Sequence, residues 1–151
     1  MGRQLGGPSF QDFVIEKPEH SPHYQYHLMD PAKASIHRRS VYRMIPRSQT
    51  QPFLTTWDCA DPSQSTPQRT ETTTALQALT LTHNPLVVYL ADVAAQRWQE
   101  CDDPIQEIYR SVFQRTPTEE EAHLLGEYRE THGLANTIRW IWNLNEGLYL
   151  D

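Results

Sequence analysis

Asp103-Pro104-Ile105-Gln106-Glu107-Ile108-Tyr109-Arg110-Ser111-Val112-Phe113 encodes a helix start, a buried face and a charge polarity in one short run. The aspartate offers a capping oxygen. Proline suits the first helical position, because the N–H it lacks would have no partner there. Gln106, three residues after Asp103, completes the start signal. Ile105, Ile108, Tyr109, Val112 and Phe113 fall at i, i+3, i+4, i+7 and i+8, so a helical turn puts them on one stripe. Acids lie near the start and Arg110 and Arg115 toward the end, as the helix dipole favours. The run predicts an amphipathic helix that donates one face to a helical core.

The same grammar recurs on both sides. Thr118 with Glu121 predicts a capping box, opening a helix through Leu124, Leu125 and Tyr128 that stops at Gly133. A last helix, about Leu134 to Asn145, carries Ile138, Trp140, Ile141, Trp142 and Leu144. It is apolar on most sides, which suits the centre of a bundle. Upstream, Asn84 caps a helix with Pro85 first. Leu86, Leu90, Val93 and Ala94 are read as its inner face, widened by Val87, Ala91 and Trp98. Before that, Thr74 with Gln77 predicts another capping box, followed by Leu76 and Leu79.

N-terminal to Thr72 the pattern changes. Gln51 to Glu71 reads as an extended, turn-rich connection around Trp57, Asp61-Pro62 and Thr66-Pro67, long for a compact domain. Arg39 to Ile45 alternates enough to predict a short strand with Val41 and Ile45 facing one side, and Pro46 ends it or places it on an edge. Residues 1–37 hold prolines at 8, 18, 22 and 31 and the Gly6-Gly7 pair, which disfavour regular elements. Phe10, Phe13, Val14, Ile15, Tyr24, Tyr26 and Leu28 are nevertheless too frequent for a disordered tail, so this segment reads as an arm that docks aromatic side chains. The resulting fold class is mainly α. An irregular bundle of about five helices occupies residues 38–151, with an extended Pro-rich N-terminal arm over 1–37 and one short strand or hairpin.

Composition narrows the function classes. The chain has 151 residues, of which 38% are hydrophobic, so it has the size of one domain with a modest core. A formal charge of −6 argues against general affinity for nucleic acid or anionic membrane, both of which need a cationic surface. No run approaches the roughly 18 apolar residues of a membrane helix. The start MGRQLGGPSF lacks the pattern of a signal peptide, which leaves a cytoplasmic chain or one whose export signal lies upstream. Cys59 and Cys101 form no CxxC or CxxCH motif; one disulfide and two free thiols are both open.

The candidate binding residues are Arg38, Arg39, Arg43 and Arg47, with Arg69 beyond them. Guanidinium groups hold carboxylate, sulfate or phosphate through paired hydrogen bonds, so these residues could form an anion site. The favoured reading is structural: they pair with Asp58, Asp61 and Glu71 and lock the long connection onto the helices. His20, His23 and His27 with Glu19 have spacings a divalent metal could use, but they lie in an arm with nothing to aim them, so no metal site is assigned. His83 before Asn84-Pro85 reads as a turn residue. Thr70 to Thr74 lack an adjacent lysine or a nucleophile elbow and read as cap and turn residues. Asn143 and Asn145 in an apolar helix need hydrogen-bond partners and are expected to tie down backbone. No catalytic residue is assigned.

Four ordered blocks, Arg38-Arg39-Ser40-Val41-Tyr42, Asp58 to Asp61-Pro62, Arg69 to Leu79 and Asn143 to Asp151, together with the loop Arg115-Thr116-Pro117-Thr118-Glu119, resemble one family. It is the planctomycete-specific domain that forms the C-terminal part of large exported proteins. The blocks place the resemblance on roughly residues 36 to 151, with Leu5-Gly6-Gly7-Pro8 as an extension. Ala75, His83, Leu144 and Gly147 depart from its pattern at helix starts and packing positions. The resemblance implies a module that follows other domains in one polypeptide, often with a c-type haem domain among them. It also implies a periplasmic or exported location, and it implies no reaction. No cofactor is expected in this chain. The expected function is a non-catalytic interaction or scaffold module whose partners are upstream domains. The alternatives are part of a composite active site, or a sulfated-glycan site on Arg38 to Arg47.

Overall fold

The computed structural model describes residues 6–16, 22–68 and 71–148. It divides into two compact units, Met1–Thr74 and Ala75–Asp151. Among the described residues no helix is long and apolar enough to cross a membrane.

The N-terminal unit is built from short elements. Strands β1 (Val14–Glu16) and β2 (His23–Gln25) pair antiparallel, with Ile15 opposite Tyr24. Phe13, just before β1, is buried and meets the rings of Tyr24 and Tyr26 edge-on, at 4.8 and 5.6 Å. Three single 3₁₀ turns follow, Tyr26–Leu28, Ala34–Ile36 and Ser40–Tyr42, and then helix α1 (Pro52–Thr56). Gln51 caps α1 through its side-chain oxygen, which accepts from the Leu54 N–H at 2.7 Å. The helix ends with Asp58 in the left-handed region, φ 54°. The Cys59 N–H returns to the Leu54 carbonyl and the Asp58 N–H to the Thr55 carbonyl, the pair of bonds that closes many helix C-termini.

Two expectations for this unit need correction. Residues 39–45 form no strand: Tyr42 and Arg43 donate back to Arg39 and Ser40 and close a 3₁₀ turn, and the run is joined to Phe10 by a single bridge, in which the Tyr42 carbonyl accepts from the Phe10 N–H and the Met44 N–H donates to the Phe10 carbonyl. Val41 and Ile45 are 77% and 56% exposed. The inward position of this run belongs to Arg43, whose charge is matched there by Asp12. The connection after Gln51 is also not wholly extended, because Pro52 at the first helical position and the Gln51 cap stabilise a turn and a half of helix.

Among the described residues the C-terminal unit holds six helices: α2 (Ala75–His83), α3 (Pro85–Trp98), α4 (Pro104–Phe113), α5 (Glu119–His132), α6 (Leu134–Trp142) and α7 (Asn145–Leu148). The chain is therefore mainly α with one hairpin, as expected. The caps follow the sequence. Asn84 accepts from Leu86, Asp103 accepts from Gln106, and Thr118 and Glu121 form the reciprocal capping box. Gly133, with φ 81°, ends α5 and starts α6 in one step, using backbone freedom that a Cβ would oppose.

Helix α6 is central and touches α2, α3, α4, α5 and α7. Ala91, Ile105, Ile108, Tyr109, Leu125, Ile138 and Ile141 make one buried cluster. Val112 and Phe113 pack against its margin, so the α4 stripe is buried at its first two turns and half-buried at its third. The inner face of α3 is turned from the expected one: Val87 and Ala91 are buried, while Val93 is 43% exposed. Ala91, with no side chain beyond Cβ, lets α3 approach α6 closely. On α2, Leu76 and Leu79 are exposed and Gln77 is buried. Helix α6 closes at Trp142, where Asn143 and Leu144 donate to Trp140 and Ile141 as a tightened turn before α7.

Candidate functional site

The arginine-rich segment lies in the N-terminal unit, and its members have separate roles. Arg38 donates from Nη1 to the Pro8 carbonyl at 2.6 Å and from Nη2 to the Gly6 carbonyl. Its guanidinium also lies over the Tyr42 ring, 4.6 Å from the centroid. The Tyr42 hydroxyl accepts in turn from the Gly6 N–H at 2.8 Å. Arg38 and Tyr42 thus fasten Gly6 to Pro8, whose glycines have φ of 76° and 93°. Arg39 and Arg47 are exposed. Arg69 lies outside the described residues, as do Thr70, Glu19 and His20.

Two of the three expected carboxylate partners are engaged locally. Asp58 accepts from the Thr72 N–H at 2.7 Å and from the Thr72 hydroxyl at 2.9–3.0 Å, joining the end of α1 to the segment before α2. Asp61 accepts from the Ser63 N–H at 2.8 Å and the Ser63 hydroxyl at 2.6 Å, and these bonds hold its carboxyl below the usual carboxylate range. Among the described residues, then, Arg38 is engaged by the Gly6–Pro8 backbone, Asp58 by Thr72 and Asp61 by Ser63.

The structure brings Arg43 and Asp12 together. Their side chains are 9% and 4% exposed, with Nε and Oδ2 3.1 Å apart. Gln51 adds a long contact to the same oxygen at 3.4 Å. The other oxygen, Oδ1, is buried without a partner, and so is Arg43 Nη1. One ion pair and one long amide contact, both on the same oxygen, cannot fully replace lost hydration. Burial accordingly pushes the Asp12 carboxyl up, against the pull of Arg43. Tyr26 nearby is raised by burial and by the Asp12 charge. A pocket of about 40 Å³ beside the pair is lined by Tyr26, Arg43, Gln51, Leu54 and Cys59 among others. Ligand sites usually span about 300–1,000 Å³, so this space suits no more than a solvent-sized group.

Sequence reading placed Arg43 among the arginines but missed Asp12. A lone aspartate in Gln11-Asp12-Phe13 gives no signal, and its partner is 31 positions away (43 − 12).

A second charged constellation accounts for the loop Arg115 to Glu119. Arg115 grips Glu121 with both Nη groups, at 2.8 and 2.7 Å, and Glu146 with Nε at 2.8 Å and Nη2. It ties the capping box of α5 to α7. These bonds pull the Glu121 carboxyl down to about 2, and Glu146 is lowered for the same reason. Both glutamates are fully engaged by structure.

Cys59 and Cys101 are free thiols. Among the described residues no group of three or more His, Cys, Asp or Glu side chains could hold a metal ion.

Fold and site together define a mainly α protein whose charged clusters fasten loops to helices. The chain belongs to the family PSD1, protein of unknown function (DUF1553), whose model matches residues 1–129. The match takes in the N-terminal segment from residue 1 and stops within α5, short of Asn143 to Asp151; the sequence blocks placed the resemblance further toward the C-terminus. No curated protein and no solved structure matches the chain.

Proposed function

We propose that this chain is a non-catalytic docking module of a larger exported polypeptide, and that its N-terminal unit completes its core against a neighbouring domain of that polypeptide. One observation carries this reading. Over Met1–Thr74 the buried apolar side chains among the described residues are Phe10, Phe13 and Ile36, while Leu28, Val41 and Ile45 are each more than half exposed. A unit that small is marginal on burial alone, and exposed aliphatic side chains on it suit a partner surface. The exported setting, and a c-type haem domain among the candidate neighbours, rest on the family resemblance of the sequence blocks.

The reading is tested by amide hydrogen exchange on this chain, alone and joined to the preceding part of its native polypeptide. Exchange across Ser40 to Ile45 should slow in the joined protein, and the pair Val41→Asp and Ile45→Asp should abolish the slowing. Equal exchange in both contexts would rule the docking reading out.

A further inference from the structure

The C-terminal unit holds a pocket that none of these roles uses. It encloses about 280 Å³ and is lined by Thr82, Tyr128, Asn136, Arg139, Trp140 and Asn143. Asn136, Arg139, Trp140 and Asn143 stand at i, i+3, i+4 and i+7, so α6 and the residue after it present one continuous face to it.

Its polar groups are only partly engaged. Arg139 Nη1 donates to the Thr82 carbonyl at 2.8 Å, and Nη2 donates to Asn136 Oδ1. Asn136 is itself anchored, its Nδ2 donating to the His132 carbonyl at 2.6 Å. A guanidinium has five N–H donors, so three remain, and both acceptors in use are neutral. Among the described residues no carboxylate pairs with Arg139. The Thr82 carbonyl sits in the last turn of α2, whose dipole offers only about half a negative charge.

Asn143 Nδ2 makes a 3.5 Å contact to the Thr82 hydroxyl, while its Oδ1 is buried without a partner. Trp140 stands edge-on to Tyr128, with centroids 4.6 Å apart, and gives the pocket an aromatic wall. A buried unpaired acceptor is costly, and a pocket with convergent polar groups on an aromatic wall is the usual form of a small-molecule site.

We propose that this pocket binds a small hydroxycarboxylate of up to sugar-acid size. The carboxylate accepts from the free N–H groups of Arg139, the Asn143 amide gives up its weak 3.5 Å contact to Thr82 and turns to offer Oδ1 to a ligand hydroxyl, and the C–H face of the ligand lies against Trp140. A neutral sugar leaves the guanidinium unmatched, and a simple carboxylate leaves Asn143 unmatched. The site is independent of the docking surface on the N-terminal unit.

The test is calorimetric titration of the full chain with D-glucuronate, D-glucose and cyclohexanecarboxylate, with the Trp140 indole N–H followed by NMR. Glucuronate should bind and shift that resonance. The other two should bind at least about tenfold more weakly, the loss expected for one hydrogen bond to a charged or buried group. Arg139→Lys and Asn143→Ala should each weaken glucuronate by about tenfold or more. Arg139→Lys keeps a donor for the Thr82 carbonyl, and an unchanged thermal melt confirms that it folds. A glucuronate-terminated disaccharide separates the sources: tighter binding than the free acid assigns the ligand to a glycan end, and weaker binding assigns it to a free hydroxy acid. Equal affinity for all three probes, an unmoved Trp140 resonance, or glucuronate binding indifferent to both substitutions would overturn the proposal.

Discussion

Asp12 and Glu121 are both paired with arginine, yet their surroundings shift them in opposite directions. Glu121 accepts two bonds from Arg115 and one from the Thr118 N–H in a half-exposed setting, so its folded-state value drops from 4.5 to about 2. Its contribution is whole above the unfolded value and is lost as pH falls from about 4.5 to about 2. Glu121→Gln should therefore lower stability at neutral pH and flatten the acid limb of a denaturant-midpoint profile across that window. An unchanged limb would remove Glu121 from the acid response.

Asp12 is the reverse case. Burial raises its carboxyl above 3.8, so the protonated form is favoured by folding, and stability is lost as pH rises from there through the folded-state value. Removing Arg43 leaves a buried carboxylate with no counter-charge, which typically costs about 3–5 kcal/mol. Arg43→Met should fall in that range, and the double variant Asp12→Asn with Arg43→Met should recover part of the loss. Strict additivity in that cycle would show that the two side chains do not act as a pair.

At the scale of the elements, helix α4 gives the sharpest forecast. Ile108 is fully buried in the central cluster, so Ile108→Ala should cost about 2–5 kcal/mol. Val93→Ala, on the exposed flank of α3, should stay within about 0.5 kcal/mol. A denaturant midpoint that moves equally for both would mean the core is misplaced. These two positions also show what the sequence made legible. Helix starts and stops were readable because caps are local: Asp103, Thr118, Asn84 and Gly133 act within four residues of themselves. The face of α4 was readable because its stripe alternates sharply with polar residues. The face of α3 was not, since Leu86, Val87, Leu90, Ala91, Val93 and Ala94 spread over nearly half its circumference and mark no single stripe. Only packing against the neighbouring helices selects Val87 and Ala91. The segment 39–45 misled for a related reason, because its alternation was real but its inward position was fixed by a charge partner 31 residues away (43 − 12).

At the scale of the whole molecule, the central buried cluster is drawn entirely from Ala75–Asp151. The six helices of that unit carry their own caps, their own Arg115 tie and their own apolar centre. The N-terminal unit has a two-strand hairpin, a one-turn helix cap and a handful of side-chain-to-backbone bonds, such as those of Arg38 and Gln49. A two-stranded hairpin is marginal in water without further packing, and three buried apolar side chains add little. A fragment of residues 75–151 should therefore keep helical circular dichroism and a cooperative thermal transition, whereas a fragment of residues 1–74 should show neither cooperative melting nor protected amides. Denaturant unfolding of the full chain should accordingly be biphasic, with the probe at Trp57 changing before those at Trp98, Trp140 and Trp142. Coincident transitions for all four tryptophans, or a 75–151 fragment that fails to fold, would show that the helical unit depends on the N-terminal one. Its stability would then have to come from surface beyond its own core.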